Sequence, residues 1–285
     1  MTLPSSGTIN HKMIQDEFGG SNPISMTEYY GADTGIPGSG TIKLSDFYGK
    51  SSGPTPPPPL GSDLEGGVFA GVWDDNGAGI GTHWLILAKV SSPGCWGTSS
   101  FWNGNPGGGI SLQFSTTNSS TSQQVSFRAG KDGYWCTYTA MTGSNYKAAA
   151  RVRSLNIGGY TDWYIPSFYE MRACYWYLKP STGTNWTLFQ PPYGDKGDNP
   201  YTVPKFPAYT SSNPTQTTAA IFKESGGAEA FPTSATQNLM CTTQYDDGDA
   251  NSNNYIAINF GNGLNTSQPA TSYSACRAMR KIPIP

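Results

Sequence analysis

Between Ser51 and Leu60 the chain reads Ser-Ser-Gly-Pro-Thr-Pro-Pro-Pro-Pro-Leu. No helix or sheet ladder can run through it. Each proline holds φ at about −65° and brings no amide donor. Four in succession force extended polyproline II, a semi-rigid spacer of about 3.1 Å per residue. The 285-residue chain is thereby divided into a module at 1–50, a linker at 51–61 and a main domain at 62–285. No basic residue flanks the prolines, so a spacer explains them better than an SH3-type ligand motif.

The first module contains an echo. Leu3-Pro4-Ser5-Ser6-Gly7-Thr8-Ile9 returns as Ile36-Pro37-Gly38-Ser39-Gly40-Thr41-Ile42. A short amphipathic piece ending in aromatic-Gly follows each copy, closing at Phe18-Gly19 and at Tyr48-Gly49. A third such piece between them ends at Tyr30-Gly31. Each reads as one or two helical turns with a glycine stop. Pieces this short are marginal alone, and about 50 residues barely build a core. The expectation is a module that orders against a partner or its own copies, with a small self-contained subdomain as the alternative.

Charged residues are 13% of the chain, about half the usual ~25%, while glycine and proline number 35 and 22. Hydrophobic runs are short, and Ser, Thr, Asn and aromatics are abundant. That composition predicts many short strands joined by long ordered loops rather than a helical bundle. It also suits a binding surface that combines rigid aromatic area with adaptable hydrogen bonding. Net charge is −2, all of it from residues 1–50; residues 51–285 balance fourteen charges of each sign. A nucleic-acid role is not expected, because no basic field exists to hold phosphates.

Five cysteines, Cys95, Cys136, Cys174, Cys241 and Cys276, form no CxxC pair and are odd in number. They read as buried free thiols rather than a zinc knuckle or a disulfide framework, which fits assembly in a reducing cytoplasm. The first residues show no charged n-region or apolar h-region, and no apolar run nears about 18 residues, so neither a signal peptide nor membrane insertion is expected.

In the main domain, Gly67–Trp73 and His83–Ala88 read as two strands of a hairpin around a Gly/Asp/Asn turn. Tyr146–Leu155 is helix-like, with Gly158 just past its end. A strong helix start follows in Gly158-Gly-Tyr-Thr-Asp-Trp-Tyr-Ile-Pro-Ser-Phe-Tyr-Glu170. Ser167 and Glu170 have capping-box spacing. Met171, Cys174, Tyr175 and Leu178 fall on one helical face, and Pro180 stops the helix. Residues 180–220 carry neither helix nor strand signal. Leu239–Tyr245 and Asn254–Phe260 precede a tight turn at Asn262-Gly263, and Tyr273–Ile282 reads as the last strand.

These motifs carry a resemblance. The run Ala150-Arg-Val-Arg-Ser-Leu155-Asn-Ile-Gly-Gly-Tyr-Thr-Asp-Trp-Tyr-Ile-Pro-Ser-Phe-Tyr-Glu170-Met resembles a pattern of the C-type-lectin-like, formylglycine-generating-enzyme-like domains that end many phage tail proteins. So do Gly226-Gly-Ala-Glu-Ala-Phe231, Asn259-Phe-Gly-Asn-Gly263 and Cys276-Arg-Ala-Met-Arg280. Leu239-Met-Cys-Thr-Thr-Gln-Tyr245 departs from it by lacking a Tyr-Trp pair. The likeness spans roughly residues 67–282 and implies an α+β, C-type-lectin-like fold with short antiparallel strands, two helices and long loops. Residues 1–50 resemble an element repeated at the start of virion tail and fibre proteins.

The function implied is a phage tail fibre or tail-tip adhesin. Residues 1–50 would attach to other tail or baseplate proteins of the virion, and the lectin-like domain would bind a host-surface glycan or protein. A homotrimer is expected by analogy with fibres, although no heptad run drives one. Alternatives are a structural collar or decoration protein and, less favoured, an oxidase-like enzyme. The enzyme's chemistry would need paired reactive cysteines, and Cys241 and Cys276 match no family cysteine. Catalysis is not expected. Only His11 and His83 exist, and a strand histidine beside Trp84 is the only one that a Ser-His-Asp arrangement in the main domain could use.

No cofactor or metal is expected. Asp247-Gly-Asp249-Ala-Asn251-Ser-Asn253 alternates oxygen side chains, but Ser252 stands where an EF-hand loop needs glycine and Ile258 where it needs an acid. The candidate ligand-binding residues are Tyr245, Asp246, Asp247, Asp249, Asn251, Asn253 and Asn254, in a loop flanking a hairpin. Trp96, Trp102 and Trp135 form a candidate second aromatic platform. Glu170 is expected to cap its helix, and Asp162 to act as a structural turn ligand.

Overall fold

A computed structural model describes residues 3–51, 57–91, 131–142, 147–187, 199–234, 237–244, 254–269 and 275–284. The chain forms two compact units, Met1–Pro56 with Ile284–Pro285, and Pro57–Pro283.

In the first unit, α1 (His11–Phe18) starts at Asn10, whose side chain accepts from the Met13 amide, and stops at Gly19. Two single 3₁₀ turns follow, Met26–Tyr29 and Leu44–Phe47. The echo in the sequence is an echo in space. The Tyr48 hydroxyl donates to the Gly7 carbonyl (2.5 Å) and the Gly49 amide to the Pro4 carbonyl (3.0 Å). In the other half, Tyr30 donates to Gly40, and the Gly31 amide to Pro37 (3.1 Å). Each Pro-x-x-Gly turn is thus closed by the Tyr-Gly of the opposite half.

The unit also has a core of its own, beyond what its short pieces promised. Leu3, Ile9, Ile14, Tyr29, Ile36 and Phe47 are buried together. Phe18, Tyr29 and Phe47 meet with ring centroids 5.8–6.1 Å apart. Three aromatics fill volume that aliphatic side chains in so short a segment could not.

Among the described residues the second unit mixes helices with two antiparallel sheets. The first sheet is four-stranded, in the order β1 (Asp63–Leu64), β2 (Gly67–Trp73), β3 (His83–Ala88), β7 (Met279–Pro283). The β2–β3 hairpin expected from the sequence forms, with Trp73 opposite His83 and Gly67 opposite Ala88. A bulge between Phe69 and Gly71 interrupts it. Gly71 sits at φ 141°, with the Tyr177 ring packed where a side chain would stand. The last strand is shorter than the sequence implied: Ala275 only bridges Leu239, and the ladder begins at Met279.

The second sheet is β4 (Leu239–Gln244), β5 (Asn254–Ile258), β6 (Asn265–Pro269). The chain does turn at Asn262-Gly263, but the β5–β6 connection takes six residues, 259–264, instead of a tight turn, and the strand β6 was not expected; Ile258 stands opposite Asn265.

Among the described residues, short helical pieces precede the long helix. A helical turn, α2 (Gly133–Trp135), runs into a π-helical turn at Cys136–Ala140, and α3 covers Lys147–Arg153. The helix announced by Ser167 is α4 (Phe168–Leu178). Its capping box forms, and the Ser167 hydroxyl also donates to Glu170 Oε2 (2.7 Å).

The one-faced burial read from Met171, Cys174, Tyr175 and Leu178 is incomplete. Eight of the eleven residues of α4 are buried and none is exposed. The helix packs against β2, β4 and β5. Aromatic and apolar side chains occur all round it, so it has no face to give to water. Even Arg172 is buried, its guanidinium set over the Phe168 and Tyr209 rings at 5.1 and 5.2 Å.

Candidate functional site

A cavity of about 320 Å³ is lined by Asp132, Tyr134, Asp162, Tyr164 and Lys281. Three separate parts of the chain supply it. Asp132 stands at the start of α2, where its Oδ1 accepts from the Trp135 amide (2.9 Å). Asp162 and Tyr164 belong to the extended run before α4. Lys281 comes from the interior of β7, the register placing it opposite Leu85 of β3.

Glu170 joins these parts beneath the cavity. Its Oε2 accepts from the amides of Ser167 (2.8 Å) and Gly133 (3.1 Å), its Oε1 accepts from the Tyr164 hydroxyl (3.0 Å), and Lys281 Nζ stands 3.8 Å away. The helix cap expected of this residue is therefore only part of its role. It also ties α2 to α4, and it needs a glycine there, since a side chain at 133 would lie 2.7 Å from Glu170 Oε2 and 2.6 Å from the Ser167 nitrogen.

The charges are compensated inside the protein. Lys281 Nζ donates to Asp75 Oδ1 (2.7 Å), which also accepts from Trp73 Nε1 (2.7 Å). Arg280 grips Asp162, with Nη2 3.0 Å from Oδ2, while its Nη1 reaches Glu65 Oε2 at 3.1 Å. The Arg280 guanidinium lies 4.0 Å from the centre of the Tyr160 ring. The structural role expected of Asp162 thus takes the form of an ion pair to a residue 118 positions away.

These environments set the protonation states. Burial works against a charge on Lys281, but the carboxylates of Glu170 and Asp75 outweigh it and hold its pKa above the usual value. Burial alone would raise Asp75; the Lys281 ammonium bonded to it brings it below the usual range. Burial, with the carboxylate of Glu170 in contact, pushes the Tyr164 phenol well up, and burial takes Tyr138 up to about 12. At neutral pH Lys281 is therefore charged and the Tyr164 phenol neutral. These are hydrogen-bond donors rather than nucleophiles.

His83 stands at the edge of this network, its Nδ1 2.9 Å from Thr82 Oγ1 and 3.2 Å from Asp75 Oδ2. Burial lowers its pKa more than Asp75 raises it. A histidine whose folded pKa lies below its unfolded value contributes stability above the unfolded pKa, about 6.5, and loses it as pH falls through the folded value. Melting temperature is therefore expected to fall as pH drops below about 6.5, and His83→Gln to flatten that slope. A scan in which the two proteins decline in parallel would remove His83 as the cause.

Six of the seven residues read from the sequence as the binding loop fall outside the described residues. Tyr245, Asp246, Asp247, Asp249, Asn251 and Asn253 are outside the described residues, as are Trp96 and Trp102. Asn254 opens β5, paired with Pro269. The strands on either side of the loop are paired with each other, Gln244 opposite Tyr255. Trp135 is half-buried against the cluster containing Ile86, Cys136, Met240 and Tyr255.

Its neighbour Tyr134 turns the other way, 45% exposed, and was not singled out in the sequence. It stacks on Tyr138 at 4.6 Å and meets Tyr164 edge-on at 5.9 Å. Trp135 packs inward while Tyr134 does not, and no pattern in the sequence tells the two adjacent aromatics apart.

Cys136, Cys174, Cys241 and Cys276 are buried thiols outside any disulfide, as expected, and Cys95 lies outside the described residues. Burial holds the Cys241 pKa well up, with Cys276 among its neighbours. Among the described residues, no group of three His, Cys, Asp or Glu side chains is placed to hold a metal ion, and no helix is long and apolar enough to cross a membrane. No protein-family model, curated protein or solved structure matches this chain.

Proposed function

We propose that this chain is a non-enzymatic attachment protein of a phage virion, a short tail fibre or tail-tip adhesin. Residues 1–50 dock onto tail or baseplate proteins, the proline linker projects the remainder, and a C-type-lectin-like domain binds a host-surface glycan or protein. In the particle the chain is a homotrimer.

The observation that supports this reading best is the pairing of Gln244 with Tyr255, which pins both ends of the Asp/Asn-rich loop at 245–253 to a sheet. Paired strands on either side give a recognition loop a fixed base, and binding loops are commonly carried on such scaffolds. The two compact units, each with its own core, are in keeping with separate anchoring and binding roles.

Deleting residues 1–50 is expected to leave a folded main domain that still adsorbs to host cells but no longer enters particles. Incorporation of the truncated chain at the normal level would sink the anchoring role. Asp247→Ala with Asn251→Ala is expected to lower adsorption of particles. Unchanged adsorption would favour the collar or decoration role instead.

A further inference from the structure

We propose that the cavity between Asp132 and Lys281 is a saccharide subsite that takes a single neutral pyranose ring. The assignment does not rest on the attachment role or on the loop at 245–253. At about 320 Å³ the cavity lies at the small end of ligand sites, which run from about 300 to 1,000 Å³. One ring fits that volume better than a chain does.

Its chemistry is mixed in the way that a hydroxyl-rich ligand requires. The Lys281 ammonium and the Tyr134 phenol donate, and the Asp132 and Asp162 carboxylates accept. A sugar hydroxyl does both at once. An ionic ligand is disfavoured because the strongest charges are already matched, Lys281 by Asp75 at 2.7 Å and Asp162 by Arg280 at 3.0 Å. A charged guest would have to compete with those pairs.

The aromatic wall completes the argument. Tyr134 and Ile80 are the two exposed large hydrophobic side chains among the described residues, and Tyr134 lines the cavity. Its ring is held by stacking on Tyr138 and by an edge contact with Tyr164. It is therefore set in place before any ligand arrives, and little rotamer freedom remains to be lost. A phenol ring with one wet edge matches a guest that has C–H groups on one side and hydroxyls on its rim.

The test uses the full chain and five neutral probes, glucose, galactose, mannose, rhamnose and N-acetylglucosamine, with glucosamine and glucuronate as charged comparators. Saturation-transfer NMR reads the contact and a titration reads the affinity. At least one neutral sugar is expected to bind at millimolar concentration. Tyr134→Ala should weaken it about tenfold, the loss of one aromatic contact, and Tyr134→Phe should keep most of it. Tyr134 is exposed, so both variants are expected to melt with the parent, and the melting curve is recorded for each.

No neutral sugar binding, binding of the charged comparators alone, or an unchanged affinity in Tyr134→Ala would each overturn the assignment. So would a sugar lost on Asp247→Ala with Asn251→Ala but kept by Tyr134→Ala, which would put it in the downstream loop. Sugar binding lost in Tyr134→Ala with particle adsorption intact would uphold the subsite and count against it as the receptor contact.

Discussion

Replacing Arg277 with methionine is expected to cost about 3–5 kcal/mol of stability, the largest effect of any single substitution considered. Arg277 is fully buried. Its Nε donates to the Ala88 carbonyl (2.9 Å), its Nη1 to the Glu229 carbonyl (2.8 Å), and its Nη2 pairs with the Glu229 carboxylate. The guanidinium lies over the Phe231 ring at 4.8 Å.

Methionine fills a similar volume, so the loss is electrostatic rather than a cavity. It strands a carboxylate and two carbonyls in a place where water does not reach. Among the described residues Glu229 retains one donor, the Val90 amide at 2.9 Å, which is too little to solvate a buried charge. Urea unfolding of the main domain measures the effect. The double variant Arg277→Met with Glu229→Gln should recover part of it, because the stranded charge is gone. A single-variant loss within about 0.5 kcal/mol of zero would mean that the pair is not desolvated as the structure has it.

The second large effect is expected at Glu170. Glu170→Ala removes the acceptor shared by Ser167, Gly133 and Tyr164, leaving buried donors unpaired at about 1–3 kcal/mol each. Against that stands the relief of no longer burying a carboxylate. With two amides stranded, the loss dominates, and a net cost of about 3 kcal/mol or more is expected. Glu170→Gln keeps an acceptor oxygen and should lose less.

The same pair of proteins gives a pH signature. Burial, only partly offset by the Lys281 charge, raises the Glu170 pKa above its ordinary value of 4.5. Between the unfolded and folded pKa values the native state then holds a proton that the unfolded chain has released. Stability therefore falls as pH rises through that window. Glu170→Gln has no such proton. The advantage of the parent over Glu170→Gln should be greatest at mildly acid pH and shrink towards neutrality. A difference that grows with pH instead would show that Lys281 and the backbone donors outweigh burial.

Much of the local structure was legible from neighbours in the chain. The capping box at Ser167 and Glu170, the β2–β3 hairpin and the Asn262-Gly263 turn all depend on residues a few positions apart. The echo in residues 3–50 was legible too, though not that each half closes the other. Burial all round α4 was misjudged, because four apolar positions on one face concealed that Phe168, Ala173 and even Arg172 are also inside.

The cavity was not legible. Asp132, Tyr164 and Lys281 carry no spacing that relates them, and Asp162 drew notice only as a turn residue. The downstream loop stood out instead because its carboxylates and amides are contiguous.

What the sequence determined by itself, then, was the division at the prolines, the short elements and their stops, and which residue types stand in each motif. The physical reason is that proline, glycine and capping side chains act within a turn of their own position. The tertiary structure alone decided the partners: Glu229 with Arg277, Asp162 with Arg280, and Asp75 with Lys281, which are 48, 118 and 206 residues apart. A charge in a sequence states that it needs a counter-charge if buried. Which one it finds is settled by how β7 lies beside β3 and how the capped start of α4 comes to stand over Lys281.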